Sequence, residues 1–362
     1  MCIEFLGGEN MNAIPLETLA QANEAAIYNI YLYLAHKTTP ADNETLWSII
    51  VGLEAELKRQ MKYKWKDRDI YRLKILKNAV SNNHFLANTR IGNFTRSKSG
   101  LTACSFTNQN GEVFVVFKGT GRGEWIDNGE GLSGVPEPNT YITYSQNGKE
   151  LFKTIIDKDY ATDQQVEALN WFNKICAKNG WNNEAKIILT GHSKGGNKAQ
   201  FVTIHSDLAD ACYSFDGQGF SPEAIEDLKG RLGANFEIRR QKILSLATDN
   251  DYVNVLGKRL MPKTNIYYFE SFIGLHYMEA MLDNNGGFNK QSEQGKLSLY
   301  IEKVSEQLMN LSPVIRQYAT LGVMNIFQKY LGEGTPVNND YVSIEETIAG
   351  LGIAIVSFLR NI

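Results

Sequence analysis

Between Asp163 and Phe269 the chain alternates β-rich runs with segments of helical periodicity, and no other feature constrains its fold as strongly. Val166, Leu169, Phe172 and Ile175 recur at spacings of three, which predicts a helix from Asp163 to about Lys178, stopped by Gly180. Strands are expected at Lys186–Thr190, Ala211–Phe215, Lys242–Ala247 and Asn265–Phe269, with helices at Lys194–Ser206 and Pro222–Leu232 between them. Strands joined through helices run parallel, so the series implies an α/β fold: a mostly parallel sheet with helices on both faces. Upstream, Leu101–Thr107 and Glu112–Lys118 flank Asn108-Gln109-Asn110-Gly111 and read as a hairpin. Its second strand, Val113-Phe114-Val115-Val116-Phe117, is apolar without alternation, as in the centre of a sheet.

The flanks read differently. Residues 15–79 carry apolar groups at helical spacing, and the chain beyond Lys290 returns to helix. The expected organisation is a helical N-terminal extension (1–80), an α/β core (81–290) and a helical C-terminal extension (291–362). Within the core, Gly121 to Tyr144 is rich in Gly, Pro, Asn and Ser and reads as one long loop. The most apolar run, Ile348 to Leu359, spans twelve residues. A membrane-crossing helix needs about 20, so this run is expected to pack as a helix against the body.

Composition removes several functions. A formal net charge of -3 offers no electrostatic footprint for nucleic acid. The four cysteines, Cys2, Cys104, Cys176 and Cys212, form no CxxC pair and suggest neither a zinc site nor a disulfide framework. The N-terminus lacks the basic and apolar regions of a secretory signal. The expected location is the cytoplasm, or outside the cell by a route without such a signal, with no transmembrane segment.

Gly191-His192-Ser193-Lys194-Gly195 fits the pattern G-x-S-x-G, in which a serine sits on a sharp turn from strand to helix. Gly191 and Gly195 let the backbone fold that tightly, and the helix N-terminus offers free N–H groups to a developing oxyanion. Chance supplies such a pentapeptide in roughly one chain in seven of this length and composition. Here it directly follows Ile187-Ile188-Leu189-Thr190 and directly precedes a helical segment, the setting that gives the pattern meaning. The reading is an α/β-hydrolase fold with Ser193 as nucleophile.

A serine nucleophile needs a base, and the base an orienting carboxylate, in the chain order Ser, Asp or Glu, His. Of the five histidines, His36 and His84 precede Ser193. His192 lies in the elbow, with its side chain expected to point away from the hydroxyl, and His205 lies on the following helix. His276, after the last expected strand, remains as the base. Thr248-Asp249-Asn250-Asp251 follows the Lys242–Ala247 strand, so Asp251 and Asp249 both qualify as the carboxylate, with Asp216 a third choice. The loop Lys118-Gly119-Thr120-Gly121 suits an oxyanion donor at Thr120, paired with the N–H of Lys194.

With those residues in place the chain resembles class 3 lipases. Phe117-Lys118-Gly119-Thr120, followed by Trp125 and Asp127, is similar to their F-R-G-T strand and loop with a nearby Trp and Asp. Thr190 to Gly196 is similar to their T-G-H-S-L-G-G elbow, and Asp251-Tyr252-Val253 to the element carrying their triad aspartate, which favours Asp251. Ser193 to Asn197 and Phe215 to Phe220 look closer to a bacterial branch of lipase-like proteins. The resemblance covers roughly Leu101 to Asp283. It implies a lid in the loop after Thr120, with Trp125, Ile126, Leu132 and Val135 facing lipid, and hydrolysis of an acylglycerol or phospholipid without metal or cofactor. Lys118 stands where the family has Arg and Lys194 where it has Leu; Lys194 is read here as solvent-facing rather than as a ligand for an anionic head group. The expected partner is a lipid or ester substrate, with transient contact to a membrane surface. The rival readings are a short-chain esterase or thioesterase, a non-catalytic lipase-like binding protein, and a bacterial effector acting on membranes.

Overall fold

Five apolar residues in a row cannot expose a face, and Val113–Phe117 accordingly becomes an interior strand of the main sheet. The computed structural model describes residues 13–59, 65–81, 83–121, 124–271, 276–330 and 352. Its strands are β1 (Arg90–Arg96), β2 (Thr102–Thr107), β3 (Val113–Phe117), β4 (Glu137–Tyr144), β5 (Glu150–Asp159), β6 (Ile187–His192), β7 (Ala209–Phe215), β8 (Ile243–Thr248), β9 (Ile266–Phe269) and β10 (Gln291–Ser292). Among the described residues, eight of these form one sheet in the order β1-β2-β3-β6-β7-β8-β9-β10, and β4 pairs with β5 apart from it. Pairing from β3 through β6, β7 and β8 to β9 is parallel, while β1, β2 and β10 join antiparallel. This is the α/β-hydrolase arrangement that the strand–helix alternation implies.

The helices are α1 (Leu16–Leu34), α2 (Leu46–Arg59), α3 (Asp67–Ser81), α4 (His84–Ala87), α5 (Trp125–Ser133), α6 (Asp163–Asn179), α7 (Lys194–His205), α8 (Pro222–Leu232), α9 (Ala234–Arg240), α10 (Lys296–Met309) and α11 (Pro313–Tyr330). The period-two alternation of each strand divides the core. Phe114, Val116 and Ile188 face a cluster built with α1, α2 and α3. Val113, Val115, Phe117, Ile187 and Leu189 face a second cluster built with α6, α7, α8 and α9. The N-terminal helices thus cover one face of the sheet. Tyr28 of α1 stacks on Phe106 at 4.4 Å, and Asn29 donates to Thr190 Oγ1 at 2.9 Å, on the strand that leads to Ser193.

Residues 121–144 are not one loop, as their composition suggested. Among the described residues they contain helix α5 and strand β4. Gly129 has a packing reason: a Cβ there would lie 3.1 Å from both Leu321 and Met324 of α11, so the small residue lets the two helices approach. Ile126 and Leu132 are buried, and Trp125 and Val135 are partly covered. No helix among the described residues is long and apolar enough to cross a membrane. The run from Ile348 to Leu359 lies, but for Gly352, outside the described residues.

Candidate active site

Ser193 leaves the end of β6 with φ 60° and ψ -126°, a backbone conformation that costs a non-glycine residue strain. The surroundings impose it. A Cβ on Gly191 would overlap the Gly195 carbonyl, and one on Gly195 would overlap the Phe117 carbonyl oxygen of β3. A Cβ on Gly196 would stand 2.7 Å from Ser214 Oγ of β7. Strand and helix therefore approach as closely as backbones allow, and the serine is lifted off the end of the sheet.

The register of the parallel strands sets Phe117, Gly191 and Ser214 side by side, so the chain leaving β3, β6, β7, β8 and β9 converges at one edge. His276 Nε2 lies 2.9 Å from Ser193 Oγ, and His276 Nδ1 lies 2.6 Å from Asp251 Oδ2. Asp251 is fully buried, and its other oxygen accepts the N–H groups of Val253 at 2.8 Å and Asn254 at 2.6 Å. Those bonds fix the carboxylate as an acceptor aimed at the imidazole. Of the three acids considered from sequence, Asp249 instead accepts the N–H of Asn250, and Asp216 accepts the N–H of Thr248.

His192 departs from its expected orientation. Its ring stacks on that of His276 with centroids 5.0 Å apart, and its Nδ1 meets the Tyr33 hydroxyl of α1 at 2.6 Å. Its Nε2 faces Asp216 Oδ2 at 3.5 Å. Burial pushes the His192 pKa well below the ordinary histidine value, and the neighbouring His276 adds to this. Burial also raises Asp216 well above the ordinary carboxylate value, with Asp251 contributing. His192, Asp216 and His276 place ligand atoms within 4.8 Å of one another, a spacing that a small cation could bridge. Both nitrogens of His276 are, however, already engaged with Ser193 and Asp251.

On the opposite side of Ser193, Lys194 is the first residue of α7, where its backbone N–H has no intrahelical acceptor. Thr120 stands after β3, and its hydroxyl accepts from Asn128 at 3.0 Å. The Lys194 side chain does not reach solvent: it is buried and paired with Asp127. Asp127 also accepts from the Thr162 hydroxyl at 2.9 Å and the Gln164 N–H at 3.1 Å, which ties the start of α6 to the start of α7. Lys198, one turn on, is buried with Glu124 at 3.2 Å. Sequence reasoning missed Tyr33, Glu124 and Asn128. Glu124 and Asn128 sit inside the stretch read as a loop, and nothing in the sequence ties Tyr33 to a histidine 159 residues away.

The sequence matches the family described as Mbeg1-like over residues 149–237, about a quarter of the chain, which includes Ser193. No curated protein matches it. The Rhizomucor miehei lipase propeptide complex is 10% identical with a TM-score of 0.39, over 78% of this chain and 85% of that one. The M37 lipase is 13% identical with a TM-score of 0.33, over 96% of this chain and 94% of that one. At those scores neither likeness bears on function.

Proposed function

We propose that this chain is a serine ester hydrolase acting on lipid esters, acylglycerols or phospholipids, through Ser193, His276 and Asp251. The observation that carries the reading is the unbroken hydrogen-bonded line from a fully buried carboxylate through an imidazole to a serine held at φ 60°. In this arrangement Asp251 accepts the Nδ1–H of His276, which leaves Nε2 free to take the Ser193 proton as Oγ attacks the ester carbonyl. The carbonyl oxygen becomes an oxyanion, stabilised by the N–H of Lys194 and the N–H or hydroxyl of Thr120 at about 3 kcal/mol per donor. Collapse returns the proton from Nε2 to the leaving alkoxide. Water, deprotonated by the same nitrogen, then releases the acid and restores Ser193.

The test is hydrolysis of a series of p-nitrophenyl esters of rising chain length, alongside a diacylglycerol and a phospholipid. The expected result is turnover that favours the longer chains. It should fall by about 10³-fold or more in His276→Ala and by about 10⁴-fold in Asp251→Asn, whose amide favours the wrong tautomer. Turnover confined to short-chain esters would make the chain an esterase. Unchanged turnover in His276→Ala would remove the assigned base.

A further inference from the structure

Five cations around Ser193 are matched to carboxylates, whereas among the described residues Lys118 and Arg96, whose guanidinium donates to the Ala35 carbonyl oxygen at 3.1 Å, are not. Lys37 pairs with Asp69 at 3.1 Å; Arg68 and Arg72 pair with Glu279 at 2.5 and 3.1 Å. Lys194 pairs with Asp127, and Lys198 with Glu124 at 3.2 Å. Lys118, which leaves the end of β3 immediately before Gly119 and Thr120, has no carboxylate at ion-pairing distance among the described residues. Its ammonium stands 5.8 Å from the centre of the Tyr33 ring, and the Arg72 guanidinium stands 4.4 Å from that ring.

Lys118 is also only partly open to water. Burial lowers its pKa; Glu124 opposes the shift, and Arg96, Lys198 and Arg72 deepen it. An ammonium that loses hydration among other cations without a carboxylate at ion-pairing distance weakens the fold, and proteins ordinarily pair such a group. Its position explains why one would be kept. The Tyr33 hydroxyl beside it bonds His192, and Gly119 is wedged against both Tyr33 and the nucleophile. A Cβ on Gly119 would fall against the Tyr33 hydroxyl, 2.7 Å from the His192 carbonyl oxygen and 3.3 Å from Ser193 Cβ.

We propose that Lys118 is an anion subsite of the Ser193 pocket, which takes the phosphate of the substrate and selects phospholipids over neutral acylglycerols. The word substrate rests on the hydrolase reading; the anion subsite does not. Phosphate reaches Lys118 as a lipid head group, and the experiment separates that source from free inorganic phosphate.

The binding of hexyl phosphate, hexanol and inorganic phosphate to full-length Ser193→Ala would be measured by calorimetry. Hexyl phosphate should bind more tightly than hexanol or inorganic phosphate, by about tenfold, and weaken with added salt. Lys118→Met should weaken it by about tenfold, whereas Lys118→Arg, which keeps the charge, should not. If Lys118→Met does not fold, the salt dependence and the three-ligand comparison in the Ser193→Ala chain still decide. Hexanol binding as tightly as hexyl phosphate, or undiminished binding in folded Lys118→Met, overturns the subsite. Inorganic phosphate binding as tightly as hexyl phosphate overturns the lipid assignment. With Ser193 intact, the ratio of rates on phosphatidylglycerol and on diacylglycerol of the same chains should fall in Lys118→Met. Inactivity on both lipids would sink the hydrolase reading and leave the binding result standing.

Discussion

At the scale of single residues, the account rests on a few backbone positions that tolerate no side chain. Gly195→Ala would drive a Cβ into the Phe117 carbonyl oxygen, a backbone atom that cannot swing aside. The expected loss is about 3 kcal/mol or more of stability, together with displacement of the strained serine. A lowered urea midpoint with poor ester turnover is the predicted result; a wild-type midpoint would show that the elbow is looser than this packing implies. The meeting of Ser193 and His276 was open to sequence reasoning because hydrolase chemistry orders them along the chain and only five histidines exist. That order left Asp249, Asp251 and Asp216 open, and the likeness to class 3 lipases favoured Asp251. The Lys194 side chain was not, because its pairing with Asp127 depends on a helix that a Gly-rich stretch disguised.

Among the elements, α5 is where sequence and structure diverge most. Gly129 and Gly131 made the segment look loose, yet in space they admit close neighbours: Leu321 and Met324 against the first, the Thr162 methyl group against the second. Glycine content marks mobility and tight packing alike, and only the neighbours decide between them. The four strands and the helices α6, α7 and α8 between 163 and 269 were legible because apolar periodicity and turn residues agree there, whereas the seven-residue α9 was not read. The start of α5 is joined to α7 through Glu124–Lys198 and Asp127–Lys194. Lys198→Met alone leaves a buried carboxylate without its partner and should cost about 3 kcal/mol. Adding Glu124→Leu should recover much of that loss. A double-mutant cycle in urea measures both, and a negligible loss in the single variant would mean that water reaches Glu124.

Over the whole molecule, buried titratable groups couple the fold to pH. His192 is held well below the ordinary histidine pKa, and burial pushes His205 down to about 4. Both are neutral when folded and take up protons on unfolding, so the stability they confer is complete above about pH 6.5. It is lost as pH falls from there towards the folded values. Asp216, with its pKa raised, acts in the opposite sense: it costs stability as pH rises above about 3.9. The histidine contribution by itself makes the chain less stable at pH 5 than at pH 7. His205→Gln should remove about 1–2 kcal/mol of that drop, read from urea midpoints at the two pH values. An unchanged drop would mean that His205 is accessible in the folded chain.

The reactivity of Ser193 decides between an enzyme and a fold that merely carries the same residues. A fluorophosphonate probe should label the folded wild-type chain once per molecule and leave Ser193→Ala unlabelled. Labelling of both alike, or of neither with the wild type folded, would contradict the assignment of Ser193 as the nucleophile.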